Sequence, residues 1–202
     1  MLEDSVEKLD FADVELQRKP FEYFVLPIAF NEEKSRIILE WLETDAPWDL
    51  IKADFYTQYE FDFGVVELPE QIKFLSAQSF LNHLVEQFER LFSAKLDKDR
   101  VYLTAHKLVK GHTIRLHNDF ISGQETHRLL IQLNRGWRDE RGGFLLLFNS
   151  SDPADVHRVI RPVHNSSLGF AISPRSNHAV STVHDGERYT LIYSFYAADD
   201  AK

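Results

Sequence analysis

The stretch VYLTAHKLVKGHTIRLHND at residues 101–119 begins a series of short runs that are rich in β-branched and aromatic residues. Glycine, asparagine, aspartate, serine or proline separates each run from the next, which is typical of strands joined by turns. About eight such runs at regular spacing predict an antiparallel sandwich or barrel. The runs are VYLTAHKLV (101–109), TIRLHND (113–119), HRLLIQLN (127–134), GFLLLFN (143–149), HRVIRPV (157–163), SLGFAIS (167–173), HAVSTV (178–183) and ERYTLIYSFY (187–196).

The N-terminal half has a different character, because helical patterns precede the β-rich runs. Asn31 occupies an N-cap position ahead of EEKSRIILEWLE (32–43), where apolar residues recur at helical spacing. Pro69 suits the first turn of a second helix that continues through IKFLSAQSFLNHLVEQFERLF (72–92). The pattern therefore predicts an α+β domain over residues 20–202, with its β core at about 99–197 and a flexible arm at 1–19.

Composition restricts the class of protein. The chain has 202 residues, 44% of them hydrophobic, which is enough for one well-packed domain. Its net charge of -9 argues against a nucleic-acid partner, and the absence of cysteine excludes thiolate metal sites and cysteine nucleophiles. The acidic N-terminus resembles no signal peptide, and no apolar run is long enough to span a bilayer. We expect a cytoplasmic protein without a membrane partner.

The motif His117-Asn118-Asp119 is the first candidate metal site. On a strand, side chains at i and i+2 point to the same face, so both His117 and Asp119 can reach one ion. A second imidazole would complete a set of two histidines and one carboxylate, which leaves open positions on an octahedral iron(II) ion. His178 and His184 are the two candidates for this third ligand. A lone H-x-D motif is weak evidence, so the surrounding residues decide its meaning.

Arg188 follows His178 by ten residues, within the apolar run ERYTLIYSFY. If the turn VHDGE joins two adjacent antiparallel strands, both side chains can face the barrel interior. A guanidinium buried among apolar residues needs an anionic partner, and its planar fork fits a carboxylate. The distal carboxylate of 2-oxoglutarate is such a partner.

The C-terminal half resembles the prolyl-hydroxylase-like branch of the Fe(II)/2-oxoglutarate-dependent dioxygenases. Its landmarks occur in order over about half of the chain: HND at 117–119, LNRGW at 133–137, GGFL at 142–145, SLGFAI at 167–172, NHAV at 177–180 and RYTLIYSF at 188–195. The resemblance implies a double-stranded β-helix, that is, a jelly-roll or cupin-like barrel, with helices packed on one face. It also implies His117, Asp119 and His178 as metal ligands, in preference to His184, and Arg188 as the anchor of 2-oxoglutarate. Gln132 and Tyr102 are further candidates for hydrogen bonds to 2-oxoglutarate.

The same resemblance implies the reaction. Fe(II), 2-oxoglutarate and O2, with ascorbate as a stimulant, would support hydroxylation of an unactivated C–H bond, with succinate and CO2 as co-products. Because Asp119 is present, hydroxylation is favoured over halogenation, for which related enzymes lack this carboxylate. A prolyl or other residue of a peptide or protein is the leading substrate, and a free amino acid or small metabolite is the alternative. The rival classes are a cupin-like metal barrel, which needs no Arg188, and a non-catalytic binding module, which needs no triad.

Overall fold

The computed structural model describes residues 9–198, in which eleven strands form two sheets packed face to face. The helices are α1 (Glu32–Thr44) and α2 (Gln78–Phe92). The strands are β1 (Tyr23–Leu26), β2 (Asp49–Lys52), β3 (Thr57–Asp62), β4 (Leu96–Leu108), β5 (Ile114–His117), β6 (His127–Gln132), β7 (Leu145–Phe148), β8 (Val156–Ile160), β9 (Ser166–Ala171), β10 (His178–Val180) and β11 (Arg188–Ala197). The major sheet has the order β1-β9-β6-β11-β4-β3-β2 and the minor sheet the order β5-β10-β7-β8.

The jelly-roll prediction is confirmed, and the eight β-rich runs correspond to β4 through β11. Alternation along the central strands divides the apolar residues between two cores. On β6, Leu129 and Ile131 pack with the helices, whereas Leu130 packs between the two sheets beside Leu145 and Ile192. Because successive side chains of a strand point to opposite faces, one strand serves both layers. The helices thus cover the outer face of the major sheet and leave its inner face to the barrel.

The predicted helix starts are partly right. The Asn31 side chain accepts a hydrogen bond from the Lys34 backbone N–H, which confirms the predicted N-cap of α1. The second helix is interrupted: Glu70–Ser76 forms a 3-10 helix, and Ala77 is extended before α2 begins at Gln78. Periodicity alone could not reveal this break, because both segments bury apolar residues against one core. Within residues 9–198, no helix is both long and apolar enough to cross a membrane.

Two further expectations need comment. Residues 1–8 of the predicted arm lie outside the described residues, but Leu9 and Phe11 are buried in the core beneath α2. The expectation that His178 and Arg188 lie on adjacent strands was wrong. β10 pairs with β5 and β7 in the minor sheet, whereas β11 pairs with β4 and β6 in the major sheet. The intervening residues cross from one sheet to the other, so the two side chains face each other across the barrel.

Candidate metal centre and co-substrate pocket

His117, Asp119 and His178 meet at one end of the space between the sheets. His117 and His178 are register partners on the antiparallel strands β5 and β10. One potential ligand atom from each of the three side chains lies within 4.8 Å of the others. Asp119 lies beyond the end of β5 and adopts a φ of 57°, a left-handed conformation that aspartate tolerates better than most residues. A turn after the strand, and not strand alternation alone, therefore directs the carboxylate toward the two imidazoles.

Hydrogen bonds fix which nitrogen of each histidine is free. Nδ1 of His117 lies 2.7 Å from the Arg115 carbonyl oxygen, and Nδ1 of His178 lies 2.7 Å from the Ser176 carbonyl oxygen. Because a carbonyl only accepts, each Nδ1 must carry a proton and donate it. In the neutral rings, the lone pairs on Nε2 then face Asp119 oxygens at 3.3 Å and 3.1 Å. Lone pairs and a carboxylate at this distance repel unless a cation lies between them, so the donor set fits a metal ion.

Arg128 on β6 supports the carboxylate from the opposite side. Its Nη1 donates to Asp119 Oδ2 at 2.6 Å, while Nε and Nη2 form a bidentate pair with Glu125 at 2.8 Å and 2.6 Å. Burial opposes ionisation of Asp119. When His117 and His178 are protonated on Nε2 they donate hydrogen bonds to this carboxylate, and together with the charge of Arg128 these bonds hold its pKa well below its usual value. The carboxylate is therefore ionised and oriented.

A cavity of about 290 Å³ extends from these three side chains into the barrel. Arg188, which is 2% exposed, lines its inner end. Its Nε donates to the Gly143 carbonyl oxygen at 2.9 Å, and its Nη1 donates to Thr190 Oγ1 at 2.9 Å. No carboxylate among residues 9–198 forms an ion pair with it, and burial lowers its pKa to about 10. An anion bound here would supply the missing partner.

Glycine is required where the chain passes Arg188. Gly143 has a φ of +65°, and a Cβ at this position would lie 3.1 Å from both Arg188 Cδ and Trp137 Cζ2. The preceding Gly142 has a φ of +67°, and its Cβ would lie 2.1 Å from the Thr182 carbonyl oxygen. The sequence therefore needs the glycine pair of the GGFL motif to bring a backbone carbonyl against the guanidinium.

Thr190 is a cavity residue that sequence reasoning missed. Its hydroxyl accepts from Arg188 and donates to Gln132 Oε1 at 3.0 Å, and Asn134 Nδ2 also donates to Gln132 at 3.3 Å. Gln132 is buried behind Thr190 and is not among the residues that line the cavity. Its predicted hydrogen bond to 2-oxoglutarate stays a prediction, while its observed role is to orient Thr190. The spacing R-x-T on one strand was the available signal, since i and i+2 share a face.

Tyr102 is not brought to the cavity. It is 49% exposed, and its ring packs edge-on against Tyr196 at 5.5 Å. His106, four residues along β4 and on the same face, lines the cavity as the register partner of Thr190. The separation between the two positions is about 13 Å at the usual rise of a strand. Tyr102 thus lies on the correct face of β4 but too far along the strand to reach the cavity. Burial first, then the charges of Arg128 and Arg188, lowers the pKa of His106 to about 3, so this side chain is neutral.

His184, the other candidate for the third ligand, lies apart from the cluster. Its backbone N–H donates to the Arg141 carbonyl oxygen, and it is not among the cavity residues. Within the described chain, the group of side chains close enough to hold a metal contains His178 instead.

Comparisons with known proteins agree with this geometry. Residues 103–195 match the family model described as the 2OG-Fe(II) oxygenase superfamily. A prolyl-4-hydroxylase from Pseudomonas putida superposes with a TM-score of 0.70 at 17% identity, covering 87% of this chain and 92% of that one. A prolyl hydroxylase from Trichoplax adhaerens, in complex with a hypoxia inducible factor oxygen degradation domain peptide fragment, superposes with a TM-score of 0.72 at 17% identity. The match covers 87% of this chain and 83% of that one. The non-heme alpha ketoglutarate dependent epimerase SnoN from nogalamycin biosynthesis superposes with a TM-score of 0.61 at 12% identity, covering 87% of this chain and 78% of that one.

At these identities the structural matches show the fold, and no curated protein matches the chain by sequence. The family match covers β5 to β10 completely, together with the parts of β4 and β11 that line the cavity. This segment belongs to the 2OG-Fe(II) oxygenase superfamily. This match indicates a dioxygenase that uses Fe(II), 2-oxoglutarate and O2. The solved structures that share the fold include prolyl hydroxylases.

Proposed function

We propose that His117, Asp119 and His178 bind the Fe(II) and that Arg188, oriented by Thr190, binds the distal carboxylate of 2-oxoglutarate. The observation that carries this proposal is a single cavity with two complementary ends. One end holds three converging metal-ligand atoms, and the other holds a buried guanidinium without an internal carboxylate partner. Bound Fe(II) and 2-oxoglutarate supply the oxidation of a C–H bond by O2, with succinate and CO2 as co-products.

The residues of this chain would orient the reaction rather than transfer protons in it. The carbonyl groups of Arg115 and Ser176 hold the two imidazoles with Nε2 toward the ion. Arg128 keeps Asp119 ionised and in place. At the inner end, the Gly143 carbonyl and Thr190 fix the plane of the Arg188 guanidinium, so that its remaining N–H groups are available for a carboxylate. Apolar residues between the two ends, such as Leu130 and Ile192, limit the access of water.

The reaction that we propose is hydroxylation of a prolyl or other residue in a peptide or protein. A groove of about 660 Å³ passes over His117 and Asp119 and supports this choice, because an extended chain could lie along it. Its rim includes the exposed apolar side chains Phe55, Phe120 and Ile121. The Trichoplax prolyl hydroxylase, which shares this fold, is in complex with a peptide fragment, and a peptide substrate here is compatible with that complex. A free amino acid is the second candidate, and the Glu60 carboxylate in the cavity wall favours it, because this carboxylate could bind the α-ammonium group.

Succinate release from 2-oxoglutarate tests the proposed ligands. The wild type with Fe(II) and ascorbate should form succinate slowly, even without substrate. His178→Ala should abolish this turnover, and Arg188→Ala should recover it only at high 2-oxoglutarate concentration. His157→Ala, which alters an exposed histidine far along β8, is the matched control and should behave as wild type.

Binding measurements separate slow turnover from a wrong assignment. Uncoupled succinate release can be small without substrate, so calorimetric titration of Fe(II) and then 2-oxoglutarate accompanies it. If the wild type binds neither, the assignment of both ends of the cavity is wrong. If it binds both and His178→Ala still binds Fe(II) normally, the ligand set is wrong while the enzyme class stands.

A further inference from the structure

The wall of the cavity formed by β3 carries polar side chains that take no part in the proposed binding of Fe(II) and 2-oxoglutarate. Gln58 and Glu60 alternate with outward-facing residues on this strand, and both line the cavity. Glu60 is the register partner of His106, which in turn lies opposite Thr190, two residues from Arg188 on the same face of β11. The two acceptor side chains therefore lie on the same inner face as the guanidinium, with β4 between them.

Glu60 has no cationic partner in residues 9–198. Its Oε2 accepts from Gln58 Nε2 at 2.7 Å and lies 3.8 Å from His106 Nε2. His106 is buried and neutral, as its pKa of about 3 indicates, so it does not compensate the carboxylate. The Gln58 side-chain oxygen, on a residue that is 2% exposed, has no hydrogen-bond partner among the described residues. The Gln58 oxygen thus lacks a donor, and the Glu60 carboxylate lacks a cation.

The charges of the completed site point to the same side chain. Arg128 and Arg188 together with Fe(II) would carry four positive charges, and Asp119, Glu125 and the 2-oxoglutarate dianion would carry four negative ones. These charges balance, and Glu60 is the charge that is left over among the residues lining the cavity. The effect of Glu60 reaches the metal end, because burial, then Glu60 and then Asp119 raise the pKa of Tyr56. An uncompensated carboxylate in a partly buried cavity favours a cationic ligand.

We propose that the β3 wall, through Glu60 and Gln58, binds an organic ammonium group of the substrate beside the metal centre. This inference rests on the proposed function and specifies its substrate class. The N–H donors of an ammonium would satisfy both acceptors, and its charge would neutralise Glu60. The group can be the side-chain ammonium of a lysyl residue in a peptide or the α-ammonium of a free amino acid. A prolyl residue within a peptide has an acylated ring nitrogen without N–H and could not fill this role.

Calorimetric titration of the anaerobic enzyme, loaded with Fe(II) and 2-oxoglutarate, tests the proposal with matched probes. Nα-acetyl-lysine amide is compared with Nα-acetyl-norleucine amide, which has the same chain without the ammonium. L-Proline is compared with N-acetyl-L-proline, which keeps the carboxylate and lacks the ammonium. We expect at least one ammonium probe to bind at least about tenfold more tightly than its partner without the ammonium. Binding of the lysine derivative would identify a side-chain ammonium, and binding of L-proline alone would identify an α-ammonium.

Variants locate the ammonium on this wall. Glu60→Gln preserves an oxygen for Gln58 and removes the charge, so it should weaken the ammonium probe by at least about tenfold. Glu67→Gln, the same change at an exposed position outside the cavity, should leave binding as in the wild type. Should Glu60→Gln fail to fold, the two matched probe pairs on the wild type still decide the question.

Three outcomes would overturn the inference: no ammonium probe binds, the partners without the ammonium bind equally well, or Glu60→Gln binds the ammonium probe like the wild type. The preceding titration of Fe(II) and 2-oxoglutarate keeps this failure separate from that of the proposed function. If the enzyme does not bind those two, the proposed function is wrong before any probe is added. If it binds them, a negative result concerns the β3 wall alone.

Discussion

Arg128 and Arg188 line the same cavity, but their surroundings differ in charge. Arg128 contacts two carboxylates, Asp119 and Glu125, through all three of its nitrogens. Arg188 contacts a carbonyl oxygen and a hydroxyl, and no acid of residues 9–198 pairs with it. Burial favours a lower pKa for both arginines. For Arg128 the two carboxylates outweigh burial, so that its pKa is raised, whereas for Arg188 burial is unopposed and lowers the pKa to about 10.

The difference separates a structural cation from a binding cation. A buried charge with internal partners is already compensated, so its removal leaves those partners unpaired. A buried charge held only by neutral dipoles is oriented but uncompensated. Its removal therefore changes the stability of the folded protein little but strongly weakens the binding of an anion. The same residue type therefore stabilises the metal end and prepares the inner end for a ligand.

Replacing Arg128 should have the largest effect on stability. Arg128→Met leaves the buried Asp119 and Glu125 without a cation, and we expect the free energy of unfolding to fall by about 3–5 kcal/mol. Urea denaturation of the metal-free protein measures this loss. Arg161→Met is the control, because its ion pair with Asp139 is exposed and should contribute at most about 1 kcal/mol. Equal losses for the two variants would mean that the Asp119 contact is not structural.

Replacing Arg188 should give the opposite pattern. Without 2-oxoglutarate, the free energy of unfolding of Arg188→Met should lie within about 1 kcal/mol of the wild-type value. The lost hydrogen bonds are offset by the removal of a buried charge. The dissociation constant for 2-oxoglutarate should rise by about 100-fold. The stabilisation that saturating 2-oxoglutarate gives the wild type, about 2.7 kcal/mol at 100 times its dissociation constant, should be lost. A variant that keeps this stabilisation would show that the carboxylate binds elsewhere.

The fold could largely be predicted from the sequence, because its information is local. Apolar alternation and turn residues specify β4 to β11, and the Asn31 cap specifies the start of α1. The assignment of β10 and β11 to different sheets could not be read from these patterns. The crossing residues 181–187 look like any hairpin turn, and only packing between the sheets decides their path.

The candidate site divides in the same way. His117, Asp119, His178 and Arg188 were selected by spacing and resemblance, and the structure brings all four to one cavity. Thr190 and His106 depend on register between distant strands, which a single sequence does not contain. For the same reason Tyr102 was chosen four residues away from the position that faces Thr190. The sequence also does not show which arginine has an internal acidic partner, because Arg128 and Arg188 differ only in the residues that surround them in the fold.

A methyl group beside Arg188 should weaken 2-oxoglutarate binding without removing the cation. Gly143→Ala places a Cβ 3.1 Å from Arg188 Cδ, so the guanidinium must shift. We therefore expect the dissociation constant for 2-oxoglutarate to rise by about tenfold. Gly123→Ala is a matched control, because Gly123 also has a positive φ, of +77°, but open space around its Cβ. Both variants should lose about 1–2 kcal/mol of stability through the left-handed backbone. Only Gly143→Ala should change the titration with 2-oxoglutarate, and a parallel change in both would attribute the effect to backbone strain.

The smallest expected effect concerns the hydroxyl that orients Arg188. Thr190→Val removes the acceptor of Nη1 and the donor to Gln132, while the shape of the side chain stays nearly the same. Loss of this orienting hydrogen bond should cost about 1 kcal/mol of binding free energy, so binding of 2-oxoglutarate should weaken by about fivefold. Thr104→Val, on the same face of β4 but outside the cavity lining, is the control and should bind normally. If Thr190→Val binds as well as the wild type, the Gly143 carbonyl alone suffices to orient Arg188. If it binds as weakly as Arg188→Met, the hydroxyl contacts the co-substrate carboxylate directly, and the inner end has two ligand-binding groups instead of one.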